Sequence, residues 1–302
     1  MVHIQSELKK FAQFLTNSNN LDTISYRNEL YKRVDAITKM IQKEPFCEKW
    51  MDEFYRLFDQ FDISPVHQRA RSKPLGYSGD YLIIDWIYTK KTAPSGLEKR
   101  FDSIFQSYEA AEAVRNRKKY FIQKCLEFMK SKRGRVDILN LGCGPCRDVL
   151  ETYQASKNGT NLHFHCVDQE PEAIEYAKNL LSHNQVQNNV KLDCTNIFHL
   201  KTTHQYDLIW IAGLFDYLED RVAKLLLKRI WRYLKKDGQI IFGNFSPKNP
   251  TRKSMEAGCH WYLIHRTAQD LIRLCTETKL PFQEIEVESE PLGINLFCII
   301  RK

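Results

Sequence analysis

Nowhere among the 302 residues is there an apolar run long enough to span a bilayer. Met1 to Leu15, where a secretory leader would stand, interleaves Glu7, Lys9 and Lys10 with its apolar residues and lacks the unbroken apolar core a leader needs. Internal repeats and low-complexity tracts are also missing, which excludes repeat architectures and long disordered tracts. The chain lacks the even, regularly spaced cysteines of a disulfide scaffold. Its nine cysteines are scattered through apolar stretches such as those around Cys166 and Cys298, so buried free thiols in a reducing compartment are expected. A soluble, cytoplasmic protein is the expectation.

What is there is the composition of a folded globular chain, 43% hydrophobic and 27% charged. The length suits one catalytic core with one sizeable extension. Lysine and arginine number 45 against 37 aspartates and glutamates, a net charge of +8. Much of that charge sits in Arg69-Arg71-Lys73, Arg115-Arg117-Lys118-Lys119 and Lys130-Lys132-Arg133-Arg135. Such clusters attract phosphate or an acidic substrate, or simply line solvated helix faces.

The first third has the periodicity of helices. Ile4, Leu8, Phe11 and Leu15 recur at helical spacing, then Leu30, Val34, Ile37 and Ile41, then Trp50, Phe54, Leu57 and Phe61. Asp62 to Asp80 breaks the pattern with Pro65, Pro74, Gly76 and Gly79 and reads as a loop rich in basic residues and tyrosine. Helical patterning resumes at Tyr81 to Tyr88 and from Leu97 through Met129, after the turn Pro94-Ser95-Gly96. Residues 1–130 are therefore expected to form a helical extension and residues 131–302 the catalytic core.

From Arg135 the rhythm changes to short β-rich runs alternating with helices, the pattern of a parallel sheet covered on both faces. Candidate strands are Val136 to Asn140, Leu162 to Val167, Val190 to Cys194, Tyr206 to Ala212, Gln239 to Phe245, Phe282 to Val287 and Gly293 to Ile300. Candidate helices are Arg147 to Ser156, Pro171 to Ser182, Asp220 to Leu234 and Thr267 to Thr278, with Pro171 in a first turn and Gly238 just past an end. Only Ser289-Glu290-Pro291 separates the last two strands, so they are expected to pair as an antiparallel hairpin.

The first strand empties into Gly142-Cys143-Gly144-Pro145, where two glycines allow a tight turn and close approach of backbone to a ligand. Alone such a pair is also compatible with a plain strand-to-helix turn. The second strand ends at Asp168, a carboxylate where a βαβ nucleotide fold places the acceptor for two ribose hydroxyls. A dinucleotide loop would carry a third glycine, but Cys146, Arg147 and Asp148 follow Gly144, which argues against a pyrophosphate cradle and for S-adenosylmethionine over NAD. Cys143-Gly144-Pro145-Cys146 spells the C-x-x-C of thioredoxin-like proteins, yet that motif needs neither Asp168 nor seven strands. No second pair stands at zinc spacing, so no metal is expected.

Leu141-Gly142-Cys143-Gly144-Pro145, Asp168 and Tyr206-Asp207-Leu208-Ile209-Trp210 resemble the successive signature segments of class I methyltransferases, over about Arg135 to Lys302. Further segments resemble the bacterial methyltransferases of 3-hydroxypalmitic acid methyl ester biosynthesis. They are Lys73 to Tyr81, Ala113 to Arg117, Gly213 to Leu218, Asn249 to Arg252 with Met255-Glu256, and Trp261 to Thr267. The resemblance implies an α/β, Rossmann-like seven-stranded sheet with a terminal hairpin, S-adenosylmethionine as cofactor and an acyl small molecule as substrate.

Roles are expected for particular residues. Gly142, Cys143 and Gly144 would pass under the methionine part of the cofactor, and Tyr77, Tyr81 and Arg115 or Arg117 would meet its carboxylate, the competing reading being that Tyr77 packs and the arginines face solvent. Asp168 and Gln169 would take the ribose; the resemblance implies that Asn196 with Ile197 meets the adenine, Asn196 standing where aspartate is usual, with a plain surface turn as the competing reading. Asp216, after the fourth strand, is a candidate general base, with capping of the next helix as its competing role. An ionised Asp216 would repel a fatty carboxylate, which is itself anionic and needs no base. Asn244 to Arg266, with Arg252, His260, Trp261, Tyr262 and His265, reads as a substrate lid in which His260 is an alternative base. His163 and His165 are expected to pack. Two other readings stay open: a methyltransferase for protein or RNA, suggested by the charge, and a catalytically silent regulator that binds the cofactor.

Overall fold

The computed structural model describes residues 2–17, 20–156 and 161–302. They fall into two compact units, a helical one of Met1–Glu112 with Asn249–Tyr262, and an α/β one of Ala113–Lys248 with Leu263–Lys302.

In the helical unit the stripes Ile4, Leu8, Phe11, Leu15 on α1 (Val2–Asn17) and Leu30, Val34, Ile37, Ile41 on α2 (Thr23–Ile41) are buried. The third stripe starts as expected with Trp50 and Phe54 on α3 (Cys47–Arg56) and then departs. The chain tightens into a 3-10 turn over Leu57–Ile63, so the buried positions become Phe58 and Phe61 while Leu57 is only half-buried. Phe54, Phe58 and Phe61 meet edge to face in steps of 5.6 Å.

Asp62 to Asp80 is not the continuous loop expected, for it holds α4 (Pro65–Ser72). Pro65 takes the first helical position, where a missing N–H costs no hydrogen bond, and Ser64 Oγ accepts from His67 N. The proline counted as a breaker is a helix start. Asp80 caps α5 (Tyr81–Thr89), accepting from Leu82 N and Ile83 N, and α6 (Gly96–Gln106) follows the Pro94-Ser95-Gly96 turn.

The chain enters the α/β unit along α7 (Glu109–Ser131). Then come β1 (Val136–Leu141), α8 (Arg147–Ala155), β2 (Leu162–Asp168), α9 (Pro171–His183), β3 (Val190–Cys194), β4 (Tyr206–Ile211), α10 (Asp220–Ile230) and β5 (Leu234–Phe245). After α11 (Arg252–Cys259), in the helical unit, α12 (Ala268–Thr276), β6 (Glu284–Ser289) and β7 (Asn295–Arg301) complete the fold. The seven strands lie in the order β3-β2-β1-β4-β5-β7-β6. β1 to β5 pair parallel, and β7 runs antiparallel to β5 and β6, the expected terminal hairpin.

β1 and β4 are buried at every position because both faces of the sheet are covered. Leu139, Leu141, Ile209 and Ile211 pack with Leu226, Leu227 and Ile230 of α10 and Leu271 of α12. Ile138, Leu208 and Trp210 pack on the other face with Phe121 of α7, Val149 of α8 and Leu181 of α9. Each such side chain contributes about 1.5–3 kcal/mol on burial.

The helix expected over Asp220 to Leu234 ends at Ile230, and a 3-10 turn, Trp231–Tyr233, leads into β5. Gly238 is consequently inside β5 rather than at a helix end. A Cβ there would stand 2.9 Å from Leu234 Cδ1 and from Lys235 O, so close packing demands the glycine, and Asp237 takes the left-handed conformation at φ 61°.

Candidate active site

β1 lies between β2 and β4, so the order of strands reverses beside it, and the carboxyl ends of these strands are where such folds bind ligands. The glycine loop sits there. Gly142 and Gly144 have φ of +65° and +53°, and a Cβ built on Gly142 meets nothing within 4 Å. Backbone conformation rather than crowding selects that glycine, and open space is left beside it. Gly142 N and Cys143 N both donate to Val167 O, at 2.8 and 3.1 Å, which fastens the loop to β2.

Asp168 stands against this loop. Its Oδ2 accepts from Gly144 N at 2.9 Å and its Oδ1 from Glu170 N at 3.1 Å. Burial pushes the carboxyl above its usual range, while those amides and that of Gln169 hold it down. The line continues along the edge of the sheet, because Asn196 Nδ2, beyond β3, donates to Gln169 Oε1 at 3.0 Å. Asn196 Oδ1 accepts from Phe198 N, and Ile197 is half-buried against the core. Gly144, Asp168, Gln169 and Asn196, chosen from separate stretches of sequence, are thus brought side by side.

Asp216, after β4, is only 3% exposed. Its Oδ1 accepts from Phe245 N at 2.6 Å and its backbone oxygen from Ile264 N at 2.7 Å. Burial raises its pKa to about 7, against the Phe245 amide and the nearby positive charges of Arg117 and Arg266. It does not cap the next helix, since Glu219 precedes α10 and gives no side-chain cap. The carboxylate instead ties the β4 loop to the end of β5.

At this edge sequence reasoning missed Asp148 and gave Arg117 and Arg266 other roles. Arg266, expected in a lid, is buried and donates to Phe215 O, Leu218 O, Asn244 Oδ1 and Asp220 Oδ1, closing the β4 loop from outside. Arg117 donates to Ala212 O, and a Cβ on Gly213 would stand 2.6 Å from its Nη1. Asp148, in the first turn of α8, is raised to about 6 by burial, opposed by its own helix amides, Arg117 and Asn140. Their burial is long-range and leaves no local signal. Arg115 is buried in the same helix as Arg117.

The segment expected as one lid divides between the units. Asn244, Phe245 and Arg266 belong to the α/β unit, and Asn249 to Tyr262 to the helical one. Within the helical unit His260 ends α11 in a left-handed conformation, and its backbone oxygen accepts from Ser78 Oγ at 3.4 Å. Its pKa is lowered, first by burial and then by Arg71 and Lys73. Tyr77 and Tyr81 are half-buried there, with the Arg69 guanidinium 5.8 Å from the Tyr81 ring. His165 packs as expected, between Tyr206 Oη and Asp193 Oδ2.

The thiols of Cys143, Cys146 and Cys166 are buried, and all three are held well above the usual thiol range by one another and by burial. Buried protonated thiols lack the electropositive, solvent-reached setting of a redox motif.

A sheet of this order with a glycine loop after β1 and a carboxylate at the tip of β2 defines a nucleotide-binding α/β fold with an added hairpin. Residues 132–286 match the family described as a methyltransferase domain, just over half of the chain, and the chain belongs to that family. No protein of curated function matches it. Among solved structures it resembles a "possible exported protein" from Bordetella parapertussis, with a TM-score of 0.62 at 18% identity over 74% of this chain and 79% of that one. It also resembles magnesium protoporphyrin IX methyltransferase from Synechocystis PCC 6803 with bound SAH, with a TM-score of 0.51 at 9% identity over 73% and 98%. These likenesses are of fold.

Proposed function

We propose that the protein transfers the methyl group of S-adenosylmethionine to a small-molecule carboxylate or hydroxyl. The observation that carries the reading is the hydrogen bond from Gly144 N to Asp168 Oδ2, which places a carboxylate beside a positive-φ glycine loop at the switch point of the sheet. The site fits the cofactor. Gly142 has open space where a Cβ would stand, and Asn140, at the end of β1, has a buried Oδ1 with no hydrogen bond. The cofactor, when bound, supplies an electrophilic sulfonium carbon.

The chain's own residues bind and orient. Gly142, Cys143 and Gly144 give backbone approach, Asp168 and Gln169 accept from ribose hydroxyls, and Asn196 with Ile197 borders the adenine. Arg115 and Arg117 supply positive charge for an amino-acid carboxylate. Asp216, with a pKa near 7, is deprotonated in part at neutral pH and accepts a proton from a hydroxyl acceptor. Its protonated fraction removes the repulsion that an ionised Asp216 would exert on a carboxylate acceptor, the group the family resemblance favours.

Incubation of the protein with methyl-labelled cofactor and a cell extract tests the reading. Label is expected in the small-molecule or lipid fraction; label confined to protein or RNA would contradict it.

A further inference from the structure

At the opposite edge of the sheet, the loop before β4 and the turn before β5 arrive side by side, since Tyr206 pairs with Leu234 in the parallel register. Between them lies an open surface cleft of about 620 Å³ lined by Lys201, Thr202, Thr203, Arg229, Arg232 and Tyr233. Three cations and three hydroxyls line it, with no carboxylate among them.

Several cations of the other basic clusters are paired with carboxylates. Arg69 pairs with Asp80, Arg71 with Asp59 and Asp62, and Lys118 with Glu151. Asp137 and Asp207, at this same edge, are taken by Arg135, Lys132 and Lys235. Lys201, Arg229 and Arg232 form no ion pair with any described residue.

Arg229 is also pre-positioned. Its Nη2 and the Tyr233 hydroxyl both donate to Leu200 O at 2.8 Å, while its Nε is buried with no hydrogen-bond partner. A guanidinium fixed in this way, flanked by a lysine, an arginine and hydroxyls, matches the tetrahedral array of acceptors on a phosphate.

We propose that this cleft is a second binding site, which takes the phosphate group of a small phosphorylated molecule. It is separate from the candidate active site, because β4 runs about 17 Å from its amino end here to its carboxyl end there, at roughly 3.3 Å per residue.

Calorimetric titration of the full chain with ribose 5-phosphate and with inorganic phosphate, at low salt, tests it. One saturable site is expected, with the ester at least as tight as the free ion. Lys201→Ala with Arg232→Ala, both at exposed positions, should weaken binding by at least about tenfold, and so should Arg229→Lys, which keeps charge but loses the fork. Unchanged cofactor affinity in these variants is expected of a separate site. No saturable heat, or binding equal in the variants, would overturn the proposal. Binding of inorganic phosphate alone would overturn the ester as the source. Retention of single-stranded RNA through the same residues, with no response to either small ligand, would overturn it in favour of nucleic acid.

Discussion

At Asp216 burial and hydrogen bonding act against each other, and burial prevails, holding the pKa near 7 against an ordinary 3.8. The folded chain therefore binds this proton more tightly than the unfolded chain. The resulting stabilisation is complete below about pH 4 and is lost as pH rises through 7, a difference of a few kcal/mol on the usual linkage. Asp148, raised to about 6, acts in the same direction. The thermal midpoint is expected to fall between pH 5 and pH 8. Asp216→Asn, which keeps an acceptor for Phe245 N–H, should flatten that fall, and an unaltered pH profile in the variant would refute the assignment. Turnover gives a second readout: with a hydroxyl acceptor the same substitution should cost about 100-fold in kcat with cofactor affinity intact. A carboxylate acceptor predicts little loss. Asp168 was legible in the sequence because a strand tip fixes where its carboxylate goes. The structural roles of Arg117, Asp148 and Arg266 were not, because a charge buried on α7, in the first turn of α8 or beyond β5 reads locally as one more solvated charge.

Among the elements, the strands were legible for a physical reason: a parallel sheet buried on both faces leaves near-continuous apolar runs such as Val136 to Leu141. α4 was not, because Pro65 followed by Pro74 and Gly76 resembles a loop until Ser64 is seen capping the helix. The 3-10 turn after Arg56 likewise moved the buried position from Leu57 to Phe58. The packing of α7 on the loop after β4 carries its own prediction. Gly213→Ala would press a Cβ to 2.6 Å from Arg117 Nη1. It is expected to destabilise the fold by about 1–3 kcal/mol as overpacking, read from urea denaturation, and the double variant with Arg117→Ala should recover part of that loss. A cost unaltered in the double variant would show that the two residues do not interact.

At the scale of the molecule, topology and chemistry coincide at one edge of the sheet. The reversal of strand order beside β1, the positive-φ loop at Gly142 and Gly144, and the hydrogen-bonded line from Asp168 through Gln169 to Asn196 converge there. The fold class and terminal hairpin were readable from the alternation of runs and from the short Ser289-Glu290-Pro291 connection. The acceptor was not, because its choice depends on side chains gathered from distant stretches of the chain. Calorimetry of S-adenosylmethionine binding to the full chain and to Asp168→Ala tests the central claim most directly. The account predicts one site per chain and, with two charge-assisted acceptor positions removed, an affinity about 100-fold lower in the variant. An equal affinity in the two proteins, or no binding to either, would contradict it.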